Sequence, residues 1–297
     1  MKSKYKNIIL IGIGIHLFAI SILTFALSYP NPIKAFQTHP LPKAPFEVGK
    51  AENTPYWFFR KSNCTATLLI AHGRSHDKSY MTPLIDSIWD QTDLCILAID
   101  LPAHGENPYT TTTIGPREKK GITEALTWLK THNYTEVFLY GVSMGGSAII
   151  HAFENKTSNT RILGYITDGT YSDLMDLVQQ AGDRLFIPRY IQKLSIFLVH
   201  LWVGYEVENV HPKNITPKIP YPYLALHGRN DTLAPLDSPH NLTIQQPNSI
   251  AMWYEGGHDE PHNRNMQSCV VAFIQSIQQY SSAWKEHIVC QGEKITE

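Results

Sequence analysis

The sequence predicts an α/β protein: a mostly parallel central sheet with helices on both faces and a small helical insertion. Three observations predict it. Short, continuously apolar runs alternate with stretches of helical spacing. Polar, glycine-bearing blocks recur at the ends of those runs, where open α/β sheets bind ligands. The chain has 297 residues, 43% hydrophobic and 17% charged, which suits one domain of ~200–250 residues with appendages. The net charge is −1 and both signs are spread along the chain. A nucleic-acid binder would need a basic face or tail, so that class is set aside.

The elements follow in order. Ile8–Leu27 contains no Lys, Arg, Asp or Glu, and its 20 residues match a bilayer core of ~30 Å at ~1.5 Å per residue. Lys2, Lys4 and Lys6 precede it; Lys34 and Lys43 follow. The bias favours a cytoplasmic N-terminus and an extracytoplasmic body. Residues 1–28 are therefore expected to be an uncleaved transmembrane signal anchor. The alternative is a cleaved signal peptide, whose apolar region usually runs ~7–15 residues, with Ala26-Leu27-Ser28 as the small-residue site. Residues 29–54 are rich in proline and read as a linker running into a first hairpin.

Residues 55–285 read as the folded domain, with 286–297 as a tail. Thr65–Ala71, Leu94–Ile99, Glu136–Tyr140, Ile162–Thr167, Tyr221–His227 and Ser249–Tyr254 read as strands. Tyr80–Asp90, Pro116–His132, the stretch after Gly145 and about 263–284 read as helices. Residues 171–215 break the rhythm and are expected to form a small cap-like insertion around one helical segment, Leu185–Tyr205. Of the four cysteines, Cys64, Cys95, Cys269 and Cys290, none has metal-type spacing. An exported body permits disulfides, but the pairing is open, and Cys95 reads as a small core residue.

The chemistry centres on Gly141-Val142-Ser143-Met144-Gly145. A strand precedes it and an Ala/Ile-rich helix follows. Such a turn thrusts a serine hydroxyl above the sheet, with glycines on either side permitting close backbone approach. By composition alone the pattern is weak; its context strengthens it. A serine nucleophile needs a base, and His258 lies after the last strand. The histidine needs an acid to fix its tautomer, and Asp231 follows the preceding strand. Two backbone N–H groups should hold the oxyanion: that of Met144, opening the helix, and that of Arg74, after His72-Gly73.

With those blocks in order, the chain resembles the alpha/beta-hydrolase-fold serine hydrolases, close to the serine-aminopeptidase-like branch. The resemblance runs from about Pro55 to Ser281 and rests on His72-Gly73, Asp100–Asn107, Gly141–Gly146, His227–Pro235 and Gly256–His258. Two positions depart from it: Ala103 stands where glycine is usual, and Asn107 where serine is common. The resemblance implies carboxylic ester hydrolysis through an acyl-enzyme, on a small or lipid-like acyl substrate, without a cofactor. Thioesterase, amidase and peptidase activity use the same triad. A membrane-anchored binding protein on an inactive hydrolase fold is the reading from another class.

Each residue also has a plainer reading. Ser143 could be an ordinary turn serine. Asp168 and Asp237 compete with Asp231, and His262 with His258. His258 and His262 superficially suggest a zinc helix, but Pro261 would disturb it. The cluster His72, His76 and Asp77 is metal-like in composition alone. His72, Asp100 and His104 are expected to tie loops together, and the Arg74 side chain to face solvent. Phe186, Tyr190, Phe197 and Trp202 could line an acyl pocket, with core packing as the default. Five Asn-x-Ser/Thr sites (Asn63, Asn133, Asn155, Asn214, Asn241) matter only in a glycosylating lumen.

Overall fold

The computed structural model describes residues 2–31, 39–154, 160–290 and 293–294; Asn155 and Lys34 lie outside them. Among the described residues, nine strands form one sheet in the order β1-β2-β4-β3-β5-β6-β7-β8-β9. The strands are β1 (Glu47–Ala51), β2 (Thr54–Phe59), β3 (Thr67–Ala71), β4 (Cys95–Ile99), β5 (Glu136–Val142), β6 (Arg161–Asp168), β7 (Tyr223–Gly228), β8 (Ser249–Tyr254) and β9 (Glu293–Lys294). From β4 to β8 every pairing is parallel; β1, β2 and β9 pair antiparallel at the two edges. This is the mostly parallel α/β sheet expected from the alternation of apolar runs and helices, and it agrees with the fold that the resemblance implies.

The parallel strands are apolar throughout because both sheet faces are covered. All of β3 and β4 is buried. On one face, Ile122, Ala125 and Leu129 of α3 (Lys119–Thr131) and Ala148–Ile150 of α4 (Met144–Ala152) pack on Leu69, Leu97 and Leu139. On the other, Leu84, Ile85 and Ile88 of α2 (Thr82–Gln91) and Val270, Phe273 and Ile274 of α8 (Arg264–Tyr280) pack on Leu68, Ile70 and Phe138. Side-chain caps start two of the helices: Asn263 accepts from the amides of Asn265 and Met266, and Asp173 from that of Met175. The last helix ends at Tyr280, short of the predicted 284, because Ser281 takes φ 47°; a separate turn, α9 (Trp284–His287), follows. The short α7 (Ser238–Thr243) has no counterpart in the sequence reading.

The insertion holds two helices rather than one, α5 (Leu174–Arg184) and α6 (Arg189–Val203). Phe186 at φ 53° and Pro188 separate them. Tyr190, Phe197 and Trp202 of α6 do not fill the core. Ile191, Ser195, Ile196, Val199 and Val203 face inward, which turns Tyr190, Phe197 and Trp202 outward, and Phe186 is 92% exposed.

The N-terminal helix α1 (Lys2–Ser28) is long and apolar enough to cross a membrane. Its second half lies against α6: His16 stacks on Tyr190, and Ser195 Oγ donates to Ile20 O at 3.3 Å. The hairpin of β1 and β2 begins inside the stretch 29–54 predicted as linker. Residues 39–46 follow α2, where Lys43 N donates to Asp86 and Thr82 Oγ1 to Pro40 O.

The cysteines pair as Cys64–Cys95 and Cys269–Cys290. Cys95 is thus buried in β4, as expected, but bridged rather than a free core thiol. The loops closed span 31 and 21 residues of sequence. On the chain-entropy account each bridge stabilises by about 3–4 kcal/mol.

Behind the site, Lys78 Nζ lies 2.6 Å from Asp100 Oδ2, with both side chains almost wholly buried. Asp100 also accepts from the amides of Lys78 and Glu106, which fixes the turn after β4. Removing one partner would leave a buried charge alone. Lys78→Met is therefore expected to destabilise the fold by about 3–5 kcal/mol, measured by chemical denaturation. Adding Asp100→Asn should recover part of the loss; no recovery would mean that Lys78 acts through its packing instead. Ala103, in the same turn, sits at φ 70°, which explains why glycine is usual there.

Candidate active site

Parallel register brings Ala71, Gly141 and Thr167 abreast, so the ends of β3, β5 and β6 open on one place. β5 turns there into α4 at Ser143, whose φ of 52° and ψ of −114° are a strained conformation for a residue with a side chain. The Ser143 amide donates to Asp168 O at 2.8 Å and locks the turn to β6. The flanking glycines are steric necessities. A Cβ on Gly141 would lie 2.5 Å from the backbone of Gly145, and one on Gly145 2.4 Å from Ala71 O.

Ser143 Oγ lies 3.0 Å from His258 Nε2, and His258 Nδ1 lies 2.6 Å from Asp231 Oδ2. The three come from the loops after β5, β8 and β7. Asp231 Oδ1 accepts from the amides of Leu233 and Ala234 at 2.7 and 2.9 Å, which holds the carboxylate in its turn. Burial opposes its ionisation, yet the imidazoles of His227 and His258 beside it keep its pKa well below the ordinary carboxylate range. Burial also works against a charged His258, but the Asp231 carboxylate outweighs it and raises the imidazole above its usual value. Neutral His258 then donates Nδ1–H to Asp231 and offers Nε2 to the Ser143 hydroxyl.

The rival residues are engaged elsewhere. The Asp168 carboxylate accepts from Tyr254 at 2.9 Å and Tyr140 at 3.3 Å, and burial pushes its pKa up to about 6. Asp237 is exposed and accepts from Asn241, and His262 is exposed on the surface. Among the described residues, no group of three or more His, Cys, Asp and Glu is arranged to hold a metal ion.

His72 and His104 tie loops together. His72 Nδ1 donates to Gly73 O and Nε2 accepts from the Leu101 amide; His104 Nδ1 donates to Pro102 O. Burial lowers both, to about 4 and about 3, so each stays neutral. The Met144 and Arg74 amides donate to no other group among the described residues. A Cβ on Gly73 would lie 2.5 Å from Asp259 Oδ2, so that carboxylate would have to move. The Arg74 side chain corrects an expectation: it turns away from solvent and donates to Ala26 O and Tyr29 O at the end of α1.

Two contributors lie in strand-end blocks of the sequence but have no role of their own in the sequence reading. His227, fully buried at the end of β7, sets Nε2 3.1 Å from the Asp231 oxygen that His258 also uses. Its one signal was a strand-end position four residues before the candidate acid. Gly169 takes φ 55°, and a Cβ there would press on His258 Nδ1 at 3.2 Å. That closeness joins loops 89 residues apart, which no local pattern encodes.

No family model matches the chain. An uncharacterized protein of Bacillus subtilis (strain 168), YqkD, is 24% identical over 210 residues, 67% of each chain. Among solved structures, the Pyrococcus furiosus esterase Pf2001 is similar at a TM-score of 0.60, with 18% identity over 89% of this chain and 99% of its own. A membrane phospholipase A described as a bacterial virulence factor gives 0.58, with 14% identity over 94% of this chain and 100% of its own. The esterase RhEst1 from Rhodococcus sp. ECU1013 gives 0.54, with 16% identity over 79% and 98%. These likenesses establish the α/β-hydrolase fold.

Proposed function

We propose that the protein is a serine hydrolase that cleaves carboxylic esters through an acyl-enzyme. The observation that carries this reading is the line from Ser143 Oγ through His258 to Asp231, at 3.0 and 2.6 Å, built on a strained turn. A serine kept only for shape would need neither the strain nor a histidine whose other nitrogen is held by a buried carboxylate. The esterase and phospholipase names of the similar structures support the same reaction class.

In the reaction, Ser143 Oγ attacks the acyl carbon while its proton passes to His258 Nε2. The carbonyl oxygen gains the negative charge and is held by the N–H groups of Met144 and Arg74. As the intermediate collapses, His258 returns the proton to the leaving alkoxide. Water then attacks the acyl-Ser143 ester, again giving its proton to His258, and Ser143 is regenerated with release of the acid. Asp231 holds the imidazole in one tautomer throughout. Thioesters and amides would follow the same path, and the leaving group decides among them.

For location, we propose a body outside the cytoplasm, tethered by α1. The two disulfides support an oxidising compartment, and Lys2, Lys4 and Lys6 the orientation. A C-terminal topology reporter tests this; a cytoplasmic signal reverses it.

The test of function is labelling of the full-length, detergent-solubilised protein by a fluorophosphonate, with p-nitrophenyl esters of rising chain length as substrates. A folded protein that neither labels nor turns over any ester points to the binding-protein reading. The pH profile adds a check. Only neutral His258 can accept the Ser143 proton, so kcat/KM should fall as pH drops through the His258 pKa. Because Asp231 raises that pKa, the acid limb should lie above the ordinary imidazole value of 6.5. A limb below that value would mean that the Asp231 contact is absent in the working enzyme.

A further inference from the structure

The last carbonyl groups of a helix have no partner within it. At the end of α1 they are capped by the loops that flank Ser143. Arg74 Nη2 donates to Ala26 O and to Tyr29 O. The Thr112 amide donates to Ser28 O at 2.8 Å, and Tyr109 OH to Pro30 O at 2.6 Å. Ser75 Oγ, next to Arg74, accepts from the Asn31 amide at 2.7 Å. The Phe25, Tyr29 and Tyr109 rings stack in sequence, and Leu27 enters the core. The Thr112 hydroxyl, in turn, lies 3.6 Å from Met144 Sδ.

No carboxylate lies within ion-pair distance of Arg74 among the described residues. Its guanidinium instead meets the carbonyls at the end of a long helix, where the helix dipole is negative. The loop so held is not relaxed by itself, since Ser75 takes φ 66°. Hence one residue faces two ways. Its amide borders the Ser143 turn, and its side chain is fastened to α1.

We infer that the end of the N-terminal helix is a working part of the acyl-transfer site: the segment Ala26–Asn31 holds Arg74, and through it the backbone amide that completes the oxyanion hole. This rests on the acyl-transfer reading above. The Arg74 side chain is a positioning group that never touches substrate. Cleavage after Ala26, Leu27 or Ser28 would part Ala26 O from the body and leave Arg74 with the Tyr29 carbonyl of this pair.

The experiment uses the full-length protein in detergent and four variants: Arg74→Met, Arg74→Lys, Leu27→Asn, and Arg74→Met with Leu27→Asn. A misplaced oxyanion donor should lower kcat by ~10–100-fold while KM stays within about two-fold. Inhibition by a trifluoromethyl ketone, whose adduct carries the same oxyanion, should weaken by a similar factor. Arg74→Lys should recover part of the rate. Leu27→Asn, which touches neither loop amide, should act in the same direction, and the double variant should lose no more than the worse single one. Hydrogen exchange at residues 72–76 should quicken in Arg74→Met and Leu27→Asn alike.

Unchanged kcat and exchange in Arg74→Met would overturn the inference, as would additive losses in the double variant. So would a loss that Arg74→Lys does not recover and that follows unfolding. A wild type that turns over no ester would instead overturn the acyl-transfer reading. Exchange would then still decide whether α1 holds the loop.

Discussion

Ser143→Ala is expected to lower kcat for ester hydrolysis by at least ~10⁴-fold, with the remainder supplied by the oxyanion hole and by binding. The geometry says why the loss is so large. Ser143 Oγ lies 3.0 Å from His258 Nε2, and the nearby Ser147 hydroxyl accepts from Tyr171 OH at 2.8 Å and belongs to the core. No other hydroxyl is hydrogen-bonded to His258 among the described residues. Alanine leaves the turn as strained as before, because φ of 52° burdens any side chain, so melting should change little. Intact-mass analysis after fluorophosphonate treatment should give one adduct in the wild type and none in the variant. An adduct that persists in Ser143→Ala would move the nucleophile elsewhere.

Asp231→Asn should reduce kcat by about 10⁴-fold, through orientation rather than loss of the fold. Asn can still accept the Leu233 and Ala234 amides through its Oδ1, so the loop should keep its shape. What changes is the side that meets His258. An amide carries no charge to favour the imidazolium, and its NH₂ can drive His258 into the wrong tautomer. The pH profile should move as well. Asp231 raises the His258 pKa, so its neutralisation should carry the acid limb to lower pH even as the plateau collapses. The stability profile follows from the depressed Asp231 pKa. That stabilisation is present above the carboxylate's unfolded value and is lost as pH falls through the lower folded one. The Asn variant should lack this dependence in acid denaturation. Kinetics of Asp231→Asn that match the wild type would mean that another acid serves His258.

His227 gives the second case its detail. Two histidines converge on one oxygen of Asp231, at 2.6 and 3.1 Å, and both hold the carboxylate in its ionised form. The carboxylate beside His258 therefore stays ionised well below neutrality.

The sequence by itself determined the sheet and the order in which the candidate site residues follow along it. Runs such as Thr67–Ala71 and Cys95–Ile99 are apolar on both sides because both faces of a parallel strand are covered, and that pattern is local. The glycines at 141 and 145 were legible too, since a tight strand-to-helix turn leaves a composition mark within five residues. Tertiary structure decided what depends on distant parts meeting. It placed Asp231 beside His258, while Tyr140 and Tyr254 occupy the Asp168 carboxylate. It paired the cysteines, where spacing allowed any pairing. It turned the aromatic residues of α6 outward, since a helix rich in apolar residues all round does not say which face meets the core. And it joined Arg74 to the end of α1, 48 residues away, because a helix end must find partners for its carbonyls and the nearest strong donor came from another loop.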